Sequence, residues 1–276
     1  MKKILVPVDF SEKSEFAAKM ANDIAQKYDS AIYLIHLIEL PSGITGRAEV
    51  GNYSIPESML FLRKIRQRMQ EFKETFFYEN LEVYYAIKLQ NPYEGILKYA
   101  DKMGADMIVM GSKGHSTFEE IFIGSNTEKV VRSSKTPVLV VKKDNDKLKM
   151  KELVFASNFK ITEDKEVFKK FLDFANHFKS NIHLLKINTT LNFESTHEAT
   201  KKVKNYIADF DLPKHSINIY NDLSVEKGIL HFAEEINADL IAIGTNNRSG
   251  LSHLFSASVT KNLSSHALKP ILTIKV

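Results

Sequence analysis

Short apolar runs alternate with longer amphipathic stretches along this chain. In the first half, the apolar runs of strand length lie at residues 3–8, 31–37, 82–88, 105–110 and 137–142. The stretches with helical periodicity lie at residues 12–28, 57–77, 92–103 and 125–134. Strands that alternate with helices are typical of βα units and a parallel sheet. The pattern therefore predicts an α/β fold.

The second half of the chain repeats the first. Three segments align with earlier ones, namely 152–159 with 3–10, 180–187 with 30–37 and 237–244 with 104–111. The spacing from Gly111 to Pro137 is 26 positions, as is the spacing from Gly244 to Pro270. Repeats of this kind indicate a duplicated structural unit. We place two domains at residues 1–146 and 147–276, joined by the charged segment 142–149.

Composition excludes several classes of protein. The chain has 276 residues and no cysteine, so disulfide frameworks, thiol catalysis and thiolate metal sites are excluded. No apolar stretch approaches the about 18 residues that span a bilayer, and the apolar core at the N-terminus is too short for a signal peptide. The net charge of +4 is more typical of a solvated surface than of nucleic-acid binding. We expect a cytoplasmic protein with no membrane or nucleic-acid partner.

A glycine-rich segment follows the fourth predicted strand. Gly111 and Gly114 come directly after the apolar run, and Gly124 and Ser125 precede the next helix. Glycines between a strand and a helix let backbone N–H groups approach an anion, which the helix dipole also favours. Open parallel sheets bind ligands at the carboxyl ends of their strands. The segment therefore predicts a phosphate-binding site at that edge, where Asp9 and Leu37 also end their strands.

Three side chains at this edge have two interpretations each. The Asp9 carboxylate can accept hydrogen bonds from an amino or hydroxyl group of a ligand, or it can support the cap of the following helix. Ser125 can cap the fourth helix and also contact phosphate. Lys113 can pair with a phosphate as a point charge, or it can be an ordinary solvated lysine.

At these residues the sequence resembles the universal stress protein family in its tandem two-domain form. The specific segments are Ile4–Asp9, Met110–Gly114, Gly124–Ser125 and Thr136–Val141. The resemblance implies two doubly wound domains, each an open five-stranded parallel sheet of order 3-2-1-4-5 flanked by helices. It also implies that the last strands pair within one chain and relate the domains by a pseudo-two-fold axis. A homodimer of two such chains is compatible with this plan.

The resemblance further implies an ATP site in the first domain, with Mg²⁺ held through the phosphates. Asp9 and the backbone at Leu37 would hold adenine, and the fourth helix would face the phosphates. The implied binding residues are Pro7, Asp9, Leu37, Met110, Gly111, Lys113, Gly114, Gly124, Ser125 and Asn126.

The second domain departs from this motif. Pro7, Asp9, Gly114 and Gly124 are replaced there by Ala156, Asn158, Asn247 and Ala257. Only Gly244 and Ser258 remain. A Cβ restricts positive φ and close backbone approach, so we expect this domain not to bind ATP in the same way.

Signatures of catalysis are missing from the sequence. There is no Gly-x-x-x-x-Gly-Lys-Ser/Thr loop, no Ser-Gly-Gly-x-Asp-Ser loop and no His-x-Gly-His motif. No Ser/His/Asp set or metal-ligand cluster emerges, so we assign no catalytic residue and no metal ligand. We expect an ATP-binding regulatory module of the stress response, with at most slow ATP hydrolysis. The alternatives are a slow ATPase and an interaction or scaffold protein that binds no nucleotide.

Overall fold

The computed structural model describes residues 1–39, 55–112, 124–143, 149–160, 165–245 and 269–275, with only the backbone given at residues 55–58 and 245. The strands of this part are β1 Lys3–Pro7, β2 Ala31–Ile38, β3 Val83–Leu89, β4 Met107–Gly111, β5 Val138–Val141, β6 Glu152–Ala156, β7 Asn181–Asn188, β8 His215–Asn221, β9 Leu240–Thr245 and β10 Ile271–Lys275. The helices are α1 Glu12–Tyr28, α2 Ile55–Phe76, α3 Pro92–Met103, α4 Ser125–Ser133, α5 Lys165–Phe178, α6 Thr196–Ile207 and α7 Val225–Glu235.

The strands form one continuous sheet. Its order is β3-β2-β1-β4-β5-β10-β9-β6-β7-β8, so each half has the order 3-2-1-4-5. All pairings within a half are parallel. Strands β5 and β10 pair antiparallel, with Leu272 opposite Leu139. The predicted fold class is confirmed, and the last strands join the two halves about a pseudo-two-fold axis.

The predicted elements of the first half agree closely with the observed ones. Helices α1 and α3 have the predicted bounds, and the other elements differ by one or two residues at an end. The proline and glycines of residues 39–55 predict a long loop, which lies almost wholly outside the described residues. The linker predicted at residues 142–149 is described only at its two ends.

Helices cover both faces of the sheet. One hydrophobic cluster runs through both halves beneath α1, α2 and α5, and it includes Ala21 and Phe171. The opposite face has a separate cluster in each half, one beneath α3 and α4 and one beneath α7. The shared cluster makes one face of the molecule a single core, although the chain folds as two repeated units.

The duplication preserves unusual backbone conformations. Positive φ occurs at Phe10 (61°) and at its counterpart Phe159 (52°), in the segments that follow β1 and β6. It occurs again at Asp29 (53°) and Lys179 (54°), which end α1 and α5. A left-handed residue allows a sharp turn between strand and helix. The same conformations at equivalent positions show that the two halves share these turns.

Candidate functional site

A cavity of about 360 Å³ opens at the carboxyl ends of β1, β2 and β4 in the first half. The helices α1, α3 and α4 close its sides. Its described lining comprises Pro7, Val8, Asp9, Ser11, Ser14, Ile35, Leu37, Pro92, Ile96, Met110, Gly111, Gly124, Ser125, Asn126 and Thr127. Carboxyl ends of parallel strands are where α/β sheets bind their ligands.

The cavity has an apolar side. Ile35, Leu37 and Ile96 approach one another there, and Met110 lies at the end of β4. Helix α3 packs closely because residue 95 is glycine. A Cβ at Gly95 would lie 2.5 Å from Leu37 Cδ2. The tight contact places Leu37 at the cavity wall, which suits a flat apolar group.

The opposite side is polar and is made by the starts of two helices. At α1, Asp9 Oδ1 accepts hydrogen bonds from the Ser11 N–H (3.0 Å) and the Ser11 hydroxyl (2.6 Å). Ser11 Oγ in turn accepts from the Ser14 N–H at 3.3 Å, which caps the helix. Asp9 therefore supports the cap of α1, which is one of the two roles that the sequence suggested for it. Its Oδ2 has no hydrogen-bond partner among the described residues, so it is available to a ligand.

The start of α4 lacks a side-chain cap. Gly124 is the N-cap residue and no described side chain bonds to the first N–H groups, so Ser125 is the first helical residue and not the cap. The helix is anchored to β4 because the Gly124 N–H donates to Ser112 O (2.5 Å) and the Thr127 hydroxyl donates to Gly111 O (2.9 Å). Uncapped N–H groups at a helix N-terminus attract anions.

Gly111 has a structural role that the sequence did not indicate. A Cβ at this position would lie 2.6 Å from the Lys13 carbonyl oxygen. The side of Gly111 that would carry a Cβ therefore faces the first turn of α1, whereas the backbone of Gly111 lines the cavity. Glycine here lets α1 and β4 approach closely enough to form the polar side of the cavity.

Most of the predicted binding residues meet at this cavity. Pro7, Asp9, Leu37, Met110, Gly111, Gly124, Ser125 and Asn126 all line it. Lys113 and Gly114 lie outside the described residues. Sequence reasoning missed seven lining residues, namely Val8, Ser11, Ser14, Ile35, Pro92, Ile96 and Thr127. The signal of Ser14, Ile96 and Thr127 is positional, because each lies on the first or second turn of a helix that follows a strand at this edge.

Comparison with known proteins places the chain in a family. The model of the universal stress protein family matches residues 1–142 and 219–275. The chain belongs to the universal stress protein family. Two family members of Methanocaldococcus jannaschii, MJ0531 and MJ0577, are 34% and 32% identical to it over 148 and 156 residues. These matches cover 51% and 52% of this chain and 82% and 96% of the relatives.

A solved structure shows the same tandem fold. A universal stress protein from Archaeoglobus fulgidus superposes with a TM-score of 0.74 at 20% identity, covering 99% of this chain and 98% of that one. At this identity the likeness concerns the fold. In the described part of the chain, no helix is both long and apolar enough to cross a bilayer. Nor do three or more acidic or histidine side chains cluster there as a metal site would require.

The second half of this family member carries different groups at the equivalent positions. Asn158 replaces Asp9 and is 5% exposed, and its Nδ2 has no hydrogen-bond partner among the described residues. The three atoms nearest to a Cβ built at Gly244 belong to the Val167 side chain, the first of them at 3.0 Å. The predicted replacements Asn247 and Ala257 lie outside the described residues.

A buried ion network occupies the second half where the first half has His36. Lys186 Nζ lies 3.2 Å from Asn188 Oδ1 and 3.5 Å from Glu194 Oε2. Burial lowers the pKa of Lys186. Burial alone would raise the pKa of Glu194, but the nearby Lys202 and Lys186 ammonium groups lower it below its ordinary value. The network holds the short segment between β7 and α6 in place.

Proposed function

We propose that this chain is an ATP-binding regulatory protein of the stress response, with one nucleotide in the first half. The observation that carries the proposal is the two-sided cavity. Its apolar side accepts a flat base, and its polar side presents the uncapped start of α4. The volume of about 360 Å³ lies within the range of small-ligand pockets, about 300 to 1,000 Å³.

Different lining residues would bind different parts of the ligand. Asp9 Oδ2 and the backbone at Leu37 would bind the adenine, and Met110 and Gly111 would border the ribose. The N–H groups that follow Gly124 would bind the phosphates, since a helix N-terminus favours negative charge. Mg²⁺ would be held through the phosphates. We assign residues 1–146 to this nucleotide-binding domain and residues 147–276 to a degenerate copy.

Slow hydrolysis is the second candidate activity. Asp9 is the only carboxylate among the described lining residues, and its Oδ1 already supports the cap of α1. A residue that holds the adenine end cannot also act as general base at the terminal phosphate. We therefore expect ATP turnover to be absent or slow, and the bound nucleotide to act by biasing conformation or partner choice.

Acid extraction tests the proposal directly. The purified full-length protein should release adenine nucleotide, and calorimetry on protein freed of nucleotide should give about one ATP per chain. Gly114→Asp should abolish both, because a carboxylate repels phosphate. Asn247→Asp, at the equivalent position of the second half, is the matched control and should change neither. A stoichiometry near two, or nucleotide retained by the Gly114→Asp variant, would contradict the assignment of the site.

A further inference from the structure

A row of hydrogen-bonded polar side chains crosses the second half of the sheet, near the amino ends of its strands. Glu152 is the first residue of β6, His183 lies on β7 and Ser216 lies on the edge strand β8. His183 is directly opposite Ser216 in the strand register. This row is separate from the cavity of the first half, which lies at the carboxyl ends of the strands.

The imidazole of His183 bridges a hydroxyl and a carboxylate. Its Nδ1 lies 2.9 Å from Ser216 Oγ, and its Nε2 lies 2.8 Å from Glu152 Oε2. A carboxylate can only accept, so Nε2 carries a proton, and in the neutral imidazole the Nδ1 lone pair then faces the serine hydroxyl. This is the arrangement of nucleophile, base and orienting acid that activates serine in hydrolases, whichever ring nitrogen faces the serine.

Neighbouring amides hold the row in this geometry. Asn181 Nδ2 donates to Glu152 Oε1 at 2.7 Å, and Asn218 Nδ2 donates to Ser216 Oγ at 2.9 Å. The hydrogen bond from His183 is the main reason that the pKa of Glu152 is lowered, so the carboxylate stays ionised. The bond from Asn218 leaves the serine hydroxyl to donate toward His183. Each group therefore has the role that proton transfer from Ser216 requires.

Among the described strands β8 lies at the edge of the sheet, so its outer side presents a backbone donor beside the serine. Lys214 O accepts from Ile182 N (3.0 Å) and Asp222 N donates to Asn188 O (3.0 Å), so even-numbered residues of β8 bond toward β7. In a parallel pair, the alternate residues point the other way. The Ile217 N–H therefore faces the open edge. In many hydrolases the residue after the nucleophile donates to the oxyanion.

An aromatic wall flanks the row on the α7 side. The Phe232 ring lies 6.2 Å from the His183 ring and 5.7 Å from the Tyr220 ring. His183 is 19% exposed and Ser216 is half-buried, so the serine is reachable from solvent while its base is partly shielded. A small apolar acyl or aryl group would pack against this wall.

The first half shows that the fold does not require this row. The equivalent positions hold Lys3, Tyr33 and Tyr84, and the two tyrosine rings stack at 5.1 Å. A stacked aromatic pair fills the same place on the sheet, so the fold does not need a proton relay there. The three polar groups in the second half therefore call for an explanation of their own.

We propose that Ser216 is an activated nucleophile that takes up the acyl group of small carboxylic esters, with His183 as its base and Glu152 as the positioning residue. Ser216 Oγ bonds to the ester carbonyl carbon while its proton passes to His183 Nδ1. The bond from carbon to the leaving oxygen then breaks, and that oxygen takes the proton as an alcohol. Water attacks the acyl-serine by the same route, giving the carboxylic acid and free Ser216.

Covalent labelling tests the nucleophile. The full-length protein is treated with a fluorophosphonate probe and with p-nitrophenyl acetate, and the adducts are located by mass spectrometry. One adduct per chain at Ser216 is expected, and Ser216→Ala should remove it. Ser195→Ala, a cap serine with no histidine partner, is the control and should label as the parent protein does. Labelling no faster than in Ser216→Ala, or labelling at other serines, would overturn the proposal.

Variants of the partners separate a chemical role from a structural one. His183→Gln should slow labelling about 100-fold or more, the usual contribution of a general base. Glu152→Gln should lower the maximal labelling rate about ten-fold without changing the probe concentration that gives half of it. A merely structural residue would change both quantities or neither, and either result would count against its role.

The absence of cysteine allows a second measurement that does not depend on the serine chemistry. Ser216→Cys introduces a single thiol into a chain with no cysteine. Its alkylation by iodoacetamide should fall about ten-fold or more when His183→Gln is added, because the imidazole no longer removes the thiol proton. Ser195→Cys should show no such dependence on His183. An equal rate in the single and double variants would overturn the proposal.

Discussion

The two halves of the molecule bury side chains of different volume between the sheet and the first helix of each half. Helix α1 faces the sheet with Ala18, Ala21 and Ile24, whereas the equivalent positions of α5 are Phe168, Phe171 and Phe174. Alanines let a helix approach the sheet, and phenylalanines hold it away. This volume difference explains why the start of α1 reaches the end of β4 and helps to form a cavity.

The glycine that ends the fourth strand of each half shows the same difference in helix packing. Both halves keep it, as Gly111 and Gly244. A Cβ at Gly111 would lie against the Lys13 backbone, whereas the nearest described neighbour of a Cβ at Gly244 is the Val167 side chain. The shape of the cavity in the first half therefore depends on how closely α1 packs against β4 as well as on the glycine pattern.

The largest expected effect comes from removing an aromatic side chain under α5. Phe168 is fully buried, with rings of Phe155 and Phe210 at 5.0 Å and 4.9 Å. Phe168→Ala should lower the free energy of unfolding by about 3 to 5 kcal/mol, measured by urea denaturation. Phe193→Ala, at a position 73% exposed, should change it by less than about 0.5 kcal/mol. A loss below about 1 kcal/mol for Phe168→Ala would show that the phenylalanines do not support α5.

Adding one methyl group at each glycine tests the packing difference itself. Gly111→Ala should cost about 3 kcal/mol, because the Lys13 backbone cannot move without shifting α1. Gly244→Ala should cost about 1 kcal/mol, since a valine side chain can adjust. Urea denaturation of both variants gives the comparison. Equal costs would mean that α1 is no more tightly packed than α5.

Exchanging the acid at the end of the first strand for its counterpart tests the site. Asp9→Asn keeps the Oδ1 acceptor for Ser11 but turns the other oxygen into a donor. ATP should bind about ten-fold more weakly, which is about 1.4 kcal/mol, with little change in stability. Calorimetric titration measures the affinity. Unchanged affinity would show that Asp9 acts only through the helix cap.

The smallest expected effect concerns two lysines related by the duplication. Burial lowers the pKa of Lys142 to about 8. The folded state thus disfavours the charged lysine below pH 8, and stability rises as the pH increases from about 8 toward the ordinary lysine value of 10.5. Allowing for partial solvent exposure, Lys142→Met should raise the free energy of unfolding by about 1 kcal/mol at pH 7 and by almost nothing near pH 10.5.

Lys275 provides the matched control for this pH dependence. Burial lowers its pKa as well, but its Nζ donates to Arg132 O at 3.2 Å, at the end of α4. Lys275→Met loses that hydrogen bond and should therefore give a smaller gain at pH 7. Urea denaturation at pH 7 and pH 10 measures both variants. A gain for Lys142→Met that does not depend on pH would contradict the burial explanation.

Much of the fold was predictable because it depends on local pattern. Apolar periodicity placed the strands and helices of the first half to within one or two residues. The site edge was also predictable, since strand ends in a parallel sheet lie together. The contact between Gly111 and Lys13 was not, because it depends on the distance between a helix and a strand.

The hydrogen-bonded row of Glu152, His183 and Ser216 shows the same limit of prediction from sequence. His183 lies 31 residues from Glu152 and 33 residues from Ser216 along the chain. Nothing in the spacing of these residue types distinguishes them from ordinary surface groups. Only strand register brings them side by side.

The sequence by itself determined the α/β class, the duplication and the edge of the sheet where a ligand would bind. Repeating apolar patterns and glycine positions are local properties, so they can be recognised in the sequence without knowing how the elements pack. The tertiary structure decided which residues line the cavity of the first half, what Gly111 faces and which polar side chains meet across β6, β7 and β8. Those outcomes depend on side-chain volumes and strand register, which bring together residues far apart in the chain.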